Sequence, residues 1–130
     1  MRADTRAASH VRIPYVHVLV VEDHADTRSV LVKLLTRWGH EVAEASTVAS
    51  AITLLNNLRF DVLVSDIGLP DGNGLSVVAA AVASGSARLK VALTAHGNAQ
   101  DRDNGMRAGF DHYLTKPCDV ARLRTVISSG

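Results

Sequence analysis

The sequence predicts one α/β domain of the doubly wound class, a parallel sheet with helices on both faces. Two observations carry that expectation. Strand-like runs and amphipathic helical patterns alternate five times along the 130 residues, and such alternation gives parallel strands joined by helices. The central run, Phe60 to Val64, is apolar and β-branched without a polar face, as a strand covered on both sides should be. The right-handed crossover rule then fixes the hand of each connection.

Tyr15 to Val21 reads as the first strand, ending at the adjacent acids Glu22 and Asp23. Val30, Leu31, Leu34, Leu35 and Trp38 recur at spacings of three and four and predict a helix, with Asp26 as its N-cap and Gly39 as its stop. Glu41 to Ala45 is the second strand. Val48, Ala51, Ile52, Leu55 and Leu58 define the second helix, capped by Ser46 or Thr47. The Phe60 strand runs into a Pro/Gly/Asn loop that carries Asp66. Leu75, Val78, Ala79 and Val82 then mark a third helix, ended by Gly85. Leu89 to Thr94 is the fourth strand. Asn98 to Ala108 is the weakest helix, with an internal Gly105 and only Ala99, Met106 and Ala108 to bury. Phe110 to Thr115 is the fifth strand, closed by Lys116-Pro117. Val120, Leu123, Val126 and Ile127 give the last helix its face, ending near Gly130.

Composition narrows the function. The length suits one domain with a full core. Residues 1–14, with three arginines and no apolar block, read as a flexible leader, and 15–130 as the domain. The formal net charge of +1 lacks the electrostatic footprint of a nucleic-acid binder. No apolar run is long enough for a membrane span. The single Cys118 rules out an internal disulfide and fits a reducing, cytoplasmic setting. The six histidines offer no short chelating pair for zinc, and His24, just past the acidic pair, could face the site but is read as solvated. No phosphate-loop motif occurs, and Asp71-Gly-Asn-Gly does not fit a calcium-binding loop.

The chemistry gathers at strand ends, where open α/β sheets hold their ligands. Strand one delivers Glu22 and Asp23, strand three Asp66, strand four Thr94 and strand five Lys116. Three carboxylates repel one another unless a cation intervenes, and an all-oxygen set suits Mg²⁺. With an ammonium and a hydroxyl beside them, they make up a site for phosphoryl transfer, in which positioning and charge supply nearly all the catalysis.

Four stretches carry a likeness to a known family: Val-Val-Glu-Asp at 20–23, Asp-Ile-Gly-Leu-Pro-Asp-Gly-Asn-Gly at 66–74, Leu-Thr-Ala-His at 93–96, and Tyr-Leu-Thr-Lys-Pro at 113–117. In that order, each at a strand end, they resemble the receiver domains of two-component response regulators, from Val16 to about Ile127. The resemblance implies the flavodoxin-like sheet, strand order 2-1-3-4-5. It implies that Asp66 is the phosphoacceptor and that Glu22, Asp23, Asp66 and the carbonyl of Gly68 bind Mg²⁺. It makes Thr94 the switch hydroxyl, Tyr113 the switch aromatic and Lys116 the phosphate-pairing lysine, with a cis bond to Pro117. It assigns lifetime tuning to Gly68 and His96. The partners it implies are a sensor histidine kinase or a histidine phosphotransfer domain. The fourth helix, fifth strand and last helix would form the surface for output or for a second copy. The wording of 66–74 and 93–96 looks most like receivers attached to hybrid kinases.

Two other readings compete. An aspartate-nucleophile phosphatase of the haloacid dehalogenase type needs a second Asp two residues past the first, where this chain has Gly68. A flavodoxin-like cofactor binder needs a Ser-, Thr- or Gly-rich loop after strand one, where this chain has Glu22-Asp23-His24-Ala25-Asp26.

Overall fold

The computed structural model describes residues 16–94, 99–116 and 119–129. The leader, His96, Pro117 and Cys118 lie outside them. The elements are β1 (His17–Val21), α1 (Ala25–Arg37), β2 (Glu41–Ala45), α2 (Val48–Asn57), β3 (Val62–Asp66), α3 (Gly74–Ser84), β4 (Leu89–Thr94), α4 (Ala99–Ala108), β5 (His112–Thr115) and α5 (Val120–Ser129). The five strands pair in parallel in the order β2-β1-β3-β4-β5, as expected. A two-residue ladder, Gly68–Leu69 against Gly72–Asn73, folds the loop after β3 into a hairpin that the sequence reading did not foresee.

Alternate residues of the strands feed two cores. Val18, Val20, Val62, Val64, Val91 and Leu93 pack with Leu31, Leu35, Leu123 and Ile127 of α1 and α5. Leu19, Val21, Leu63 and Ala92 pack with Ala51, Leu55, Val77, Val78 and Ala81 of α2 and α3. Full burial of each such valine or leucine is worth roughly 1.5–3 kcal/mol, so the sheet interior is the main source of stability. No described helix is long and apolar enough to cross a membrane.

Several element ends differ from expectation for identifiable reasons. β3 and β5 start two residues later than their apolar runs because Asp61 and Asp111 use their side chains there. Asp61 Oδ2 accepts the N–H of His17 at 2.9 Å, and Asp111 Oδ2 accepts that of Lys90 at 2.8 Å. Each Asp N–H returns a bond to the same neighbour's carbonyl. The phenylalanines before them, Phe60 and Phe110, are buried as core. β3 runs on to Asp66, which pairs in register with Leu93. The N-cap of α1 is His24, with Asp26 in the first turn. Thr47 caps α2 with a reciprocal bond to Ser50, as foreseen.

The apolar face of α3 is displaced from the expected one. Gly74, Val77, Val78 and Ala81 are buried, whereas Ala79 is exposed and Val82 is 54% exposed. Val30 and Leu58, expected on helix faces, are also exposed. On α4, Met106 is exposed and Ala108 half-buried, and among the helix residues whose exposure is described, 102–108, the buried one is Gly105. A Cβ there would lie 3.6 Å from the rings of both Phe110 and Tyr113, an ordinary contact, so the helix faces these rings with a glycine although a methyl group would fit.

One titration is set by the fold. The Nδ1 of His40 is buried without a hydrogen bond to any described residue. Burial holds its pKa below the usual value, and the charge of Arg124, which also lies 5.2 Å over the Trp38 ring, acts in the same direction. A histidine depressed in this way stabilises the fold fully above its unfolded pKa of about 6.5, and that stability is lost as pH falls through it toward the folded value. His40→Gln is expected to flatten the decline in unfolding free energy between about pH 7.5 and 5.5. Parallel curves for the variant and the wild type would exclude His40 as the source.

Candidate functional site

Among the described residues, four of the five buried polar or charged ones, Glu22, Ser65, Asp66 and Thr94, lie at the carboxyl ends of β1, β3 and β4. β1 pairs with β3, and β3 with β4, so their ends are neighbours. β5 completes the row, and Lys116 follows it directly, its N–H donating to the carbonyl of Thr94 at 2.7 Å.

The ammonium of Lys116 joins the site. It donates to Glu22 Oε1 at 2.6 Å and to Asp66 Oδ2 at 3.0 Å. Glu22 is 0% exposed and Asp66 is 6% exposed, so the two acids are shielded from water while Lys116 is half-buried. Burial alone would raise the pKa of Glu22, but Lys116 and the N–H and ring of His24 outweigh it and hold the carboxyl below its usual range. Asp66 goes the other way. Burial and the charge of Glu22 push it up, against Lys116 and the N–H of Ile67. Lys116 is opposed by burial yet held above its usual value by the two carboxylates.

Asp23 lies beside this trio. Its Oδ1 is buried and makes no hydrogen bond among the described residues. Ligand atoms from Glu22, Asp23, His24 and Asp66 all lie within 4.8 Å of one another. An unsatisfied carboxylate oxygen next to two buried carboxylates is costly unless a cation completes it, and these residues therefore fit a divalent cation. Gly68 opens the small ladder two residues past Asp66, exposed, with nothing within 4 Å of where a Cβ would stand. Thr94 is buried beside the site. Tyr113 is half-buried on β5, with the guanidinium of Arg102 5.8 Å over its ring. Pro117 and His96 lie outside the described residues.

Three supporting contacts were not legible beforehand. Asp71 reaches from the loop after β3 to the start of α2, accepting the N–H groups of Val48 at 2.7 Å and Ala49 at 3.1 Å. Those bonds hold its carboxyl below the usual range. Arg28 of α1 donates to the carbonyl of Glu22 at 2.9 Å and to Glu44 Oε1 at 2.9 Å, pinning the acidic turn to β2. Gly74 lies so close under the loop that a Cβ would stand 2.2 Å from the carbonyl oxygen of Asp66. Asp71, in a Pro-Asp-Gly turn, could have been suspected as a cap, but the helix it caps lies 23 residues earlier.

The response regulator receiver domain model matches residues 18–128. The chain belongs to that family. This receiver domain is 35% identical over 116 residues to the phosphate regulon transcriptional regulatory protein PhoB of Klebsiella pneumoniae, a match covering 85% of the chain and 51% of PhoB. It therefore spans about half the length of that relative. The receiver domain of a sensor histidine kinase from Pseudomonas aeruginosa, solved with a magnesium ion coordinated in its active site cleft, aligns with a TM-score of 0.80 and 28% identity, covering 89% of this chain and 97% of that one. A response regulator from Burkholderia pseudomallei, solved with a phosphorylated aspartic acid, a calcium ion and citrate, aligns with a TM-score of 0.79 and 25% identity, covering 85% and 65%. As a receiver domain the chain is a signalling module of two-component systems.

Proposed function

We propose that this receiver domain accepts a phosphoryl group from a phosphohistidine onto Asp66 and passes the signal on by a change of conformation. The observation that carries the reading is the Lys116 ammonium held on both Glu22 and Asp66, with the unsatisfied oxygen of Asp23 alongside. In transfer, a carboxylate oxygen of Asp66 bonds to phosphorus as the P–N bond to the donor imidazole breaks, and the imidazole leaves with the electron pair. Hydrolysis returns the carboxylate: water attacks phosphorus, the P–O bond to Asp66 breaks and inorganic phosphate departs. Lys116 pairs with the incoming phosphoryl oxygens, and Thr94 supplies a hydroxyl donor on the other side. Glu22, Asp23, Asp66 and the carbonyl of Gly68 would hold Mg²⁺, which when bound offsets charge on the transferring group. The open space at Gly68 leaves water a path to the acyl phosphate. The domain thereby catalyses its own phosphorylation and dephosphorylation. Its donor is a sensor histidine kinase or a histidine phosphotransfer domain in the cytoplasm.

Incubation with acetyl phosphate and Mg²⁺, followed by intact mass measurement, is expected to add one phosphoryl group to the wild type and none to Asp66→Asn. Equal uptake by the Asn variant would overturn the assignment.

The output surface in this reading is α4, β5 and α5, which could also receive a second copy of the chain. Support comes from the poor apolar face of α4, where Met106 is exposed and, among residues 102–108, the buried one is Gly105. Segments with few buried contacts are drawn from the low-stability end of a fold. A dianion on Asp66 would draw in the Thr94 hydroxyl, and Tyr113 would turn toward the space vacated, away from Arg102. Amide exchange with and without beryllofluoride is expected to change across 99–113 as well as at the site. Changes confined to the loops bearing Asp23 and Asp66 would discount this surface and favour α1.

A further inference from the structure

The imidazole of His24 stands at the rim of the acidic cluster, and the proposed phosphoryl-transfer chemistry makes no use of it. Its Nδ1 is 3.2 Å from Glu22 Oε2 and 3.5 Å from Asp23 Oδ1. Its backbone N–H donates to the same Glu22 Oε2 at 3.0 Å, while 72% of the side chain is exposed. The imidazole thus already faces the cluster from the solvent side. The remaining oxygens are not equivalent. Glu22 Oε1 and Asp66 Oδ2 are already bonded to Lys116. Glu22 Oε2 and Asp23 Oδ1 face His24, and Asp23 Oδ1 has no hydrogen bond. A cation drawn to those two oxygens meets a nitrogen ligand as well.

We infer that His24 is a ligand in this site and shifts its preference from Mg²⁺ toward first-row transition cations. The inference rests on the metal-binding reading above and deepens it. Its chemistry is that of ligand softness. Mg²⁺ takes oxygen ligands and keeps its waters, and gains little from an imidazole. Imidazole nitrogen suits the later divalent ions, whose affinity for mixed nitrogen and oxygen sites rises from Mn²⁺ through Co²⁺ to Ni²⁺. Which cation the domain carries is then decided partly by a residue outside the acidic pair.

The test is calorimetric titration of the unphosphorylated chain with Mg²⁺ and, separately, with Co²⁺, for the wild type, His24→Ala, His24→Asn and Asp23→Ala. The expected result is a loss of Co²⁺ affinity of about tenfold or more in both His24 variants, with Mg²⁺ affinity within about twofold of wild type. Unchanged Co²⁺ affinity in the His24 variants would overturn the inference. An equal loss for both cations would overturn it too, because His24 would then be acting on the acids and not on the metal. Asp23→Ala separates the two levels of the reading. If it binds both cations as tightly as wild type, the acidic cluster is not the metal site, and the metal-binding reading falls first.

Discussion

Lys116→Met is expected to lower the unfolding free energy by roughly 3–5 kcal/mol at neutral pH without divalent cations, the cost of leaving one side of a buried ion pair uncompensated. The variant keeps the length of the side chain and removes the cation that bonds Glu22 Oε1 and Asp66 Oδ2. In the wild type Glu22 has a lowered pKa, so its contribution is present above the unfolded value of 4.5 and is lost as pH falls through the folded one. In the variant burial is left to dominate, both acids are raised, and their ionisation destabilises the fold above their folded pKa values. The gap between variant and wild type should therefore narrow as pH falls from neutral toward about 5. Denaturant unfolding at both pH values decides it, and a neutral-pH difference below about 0.5 kcal/mol would show that the pair contributes no more than a surface contact. Phosphorylation by acetyl phosphate should fall with it, since the same ammonium is the phosphate partner in the proposed chemistry.

Gly74→Ala should be the next most damaging change. The atoms a Cβ would meet are all backbone: Asp66 O at 2.2 Å, Ile67 Cα at 3.0 Å and Asp66 C at 3.1 Å. None can swing aside as a side chain could. Either α3 backs away, breaking the 2.7 Å bond from the Gly74 N–H to the Ile67 carbonyl, or the acceptor strand moves. The expected loss is about 3 kcal/mol, the upper end of overpacking, and phosphoryl uptake should drop roughly 100-fold because the displaced residue is the proposed nucleophile. Gly105→Ala is the matched comparison. Its nearest atoms are at 3.6 Å, an ordinary contact, so it should be neutral or stabilise the helix by up to about 1 kcal/mol. If the two variants unfold alike, the close approach at Gly74 is not a constraint.

These two glycines also mark where the sequence was hardest to read. β2 and β4 begin and end where their apolar runs do. The groups at the strand ends were visible because each follows a recognisable strand, and position along the chain was enough to bring Glu22, Asp66, Thr94 and Lys116 together. Helix faces were legible only where hydropathy marked them. The expected face of α3, starting at Leu75, is displaced because the helix turns its first residue, a glycine, toward β3, so that Val77 and Ala81 follow it inward. On α4, Met106, expected inside, is exposed while Ala108 packs half-buried, and the buried Gly105 carries no hydrophobic mark. Asp61 and Asp111 were read as part of their strands, and only strand pairing reveals that they precede the regular ladder and extend it with their carboxylates. Arg28 and Asp71 were invisible because each bonds an element far from it in sequence.

The Asp71 tether bears on how this site can be altered by natural variation or by design. The segment from Ile67 to Gly74 is fastened at its start by the Ile67 N–H on Leu93, at its tip by Asp71 on α2, and at its end by Gly74 under Asp66. A strap anchored at three points has no slack, so an inserted residue must unfasten one of them. The length of this segment is locked, and in the proposed chemistry the timing of the signal would be adjusted through the identity of an exposed position such as Gly68, one side chain at a time.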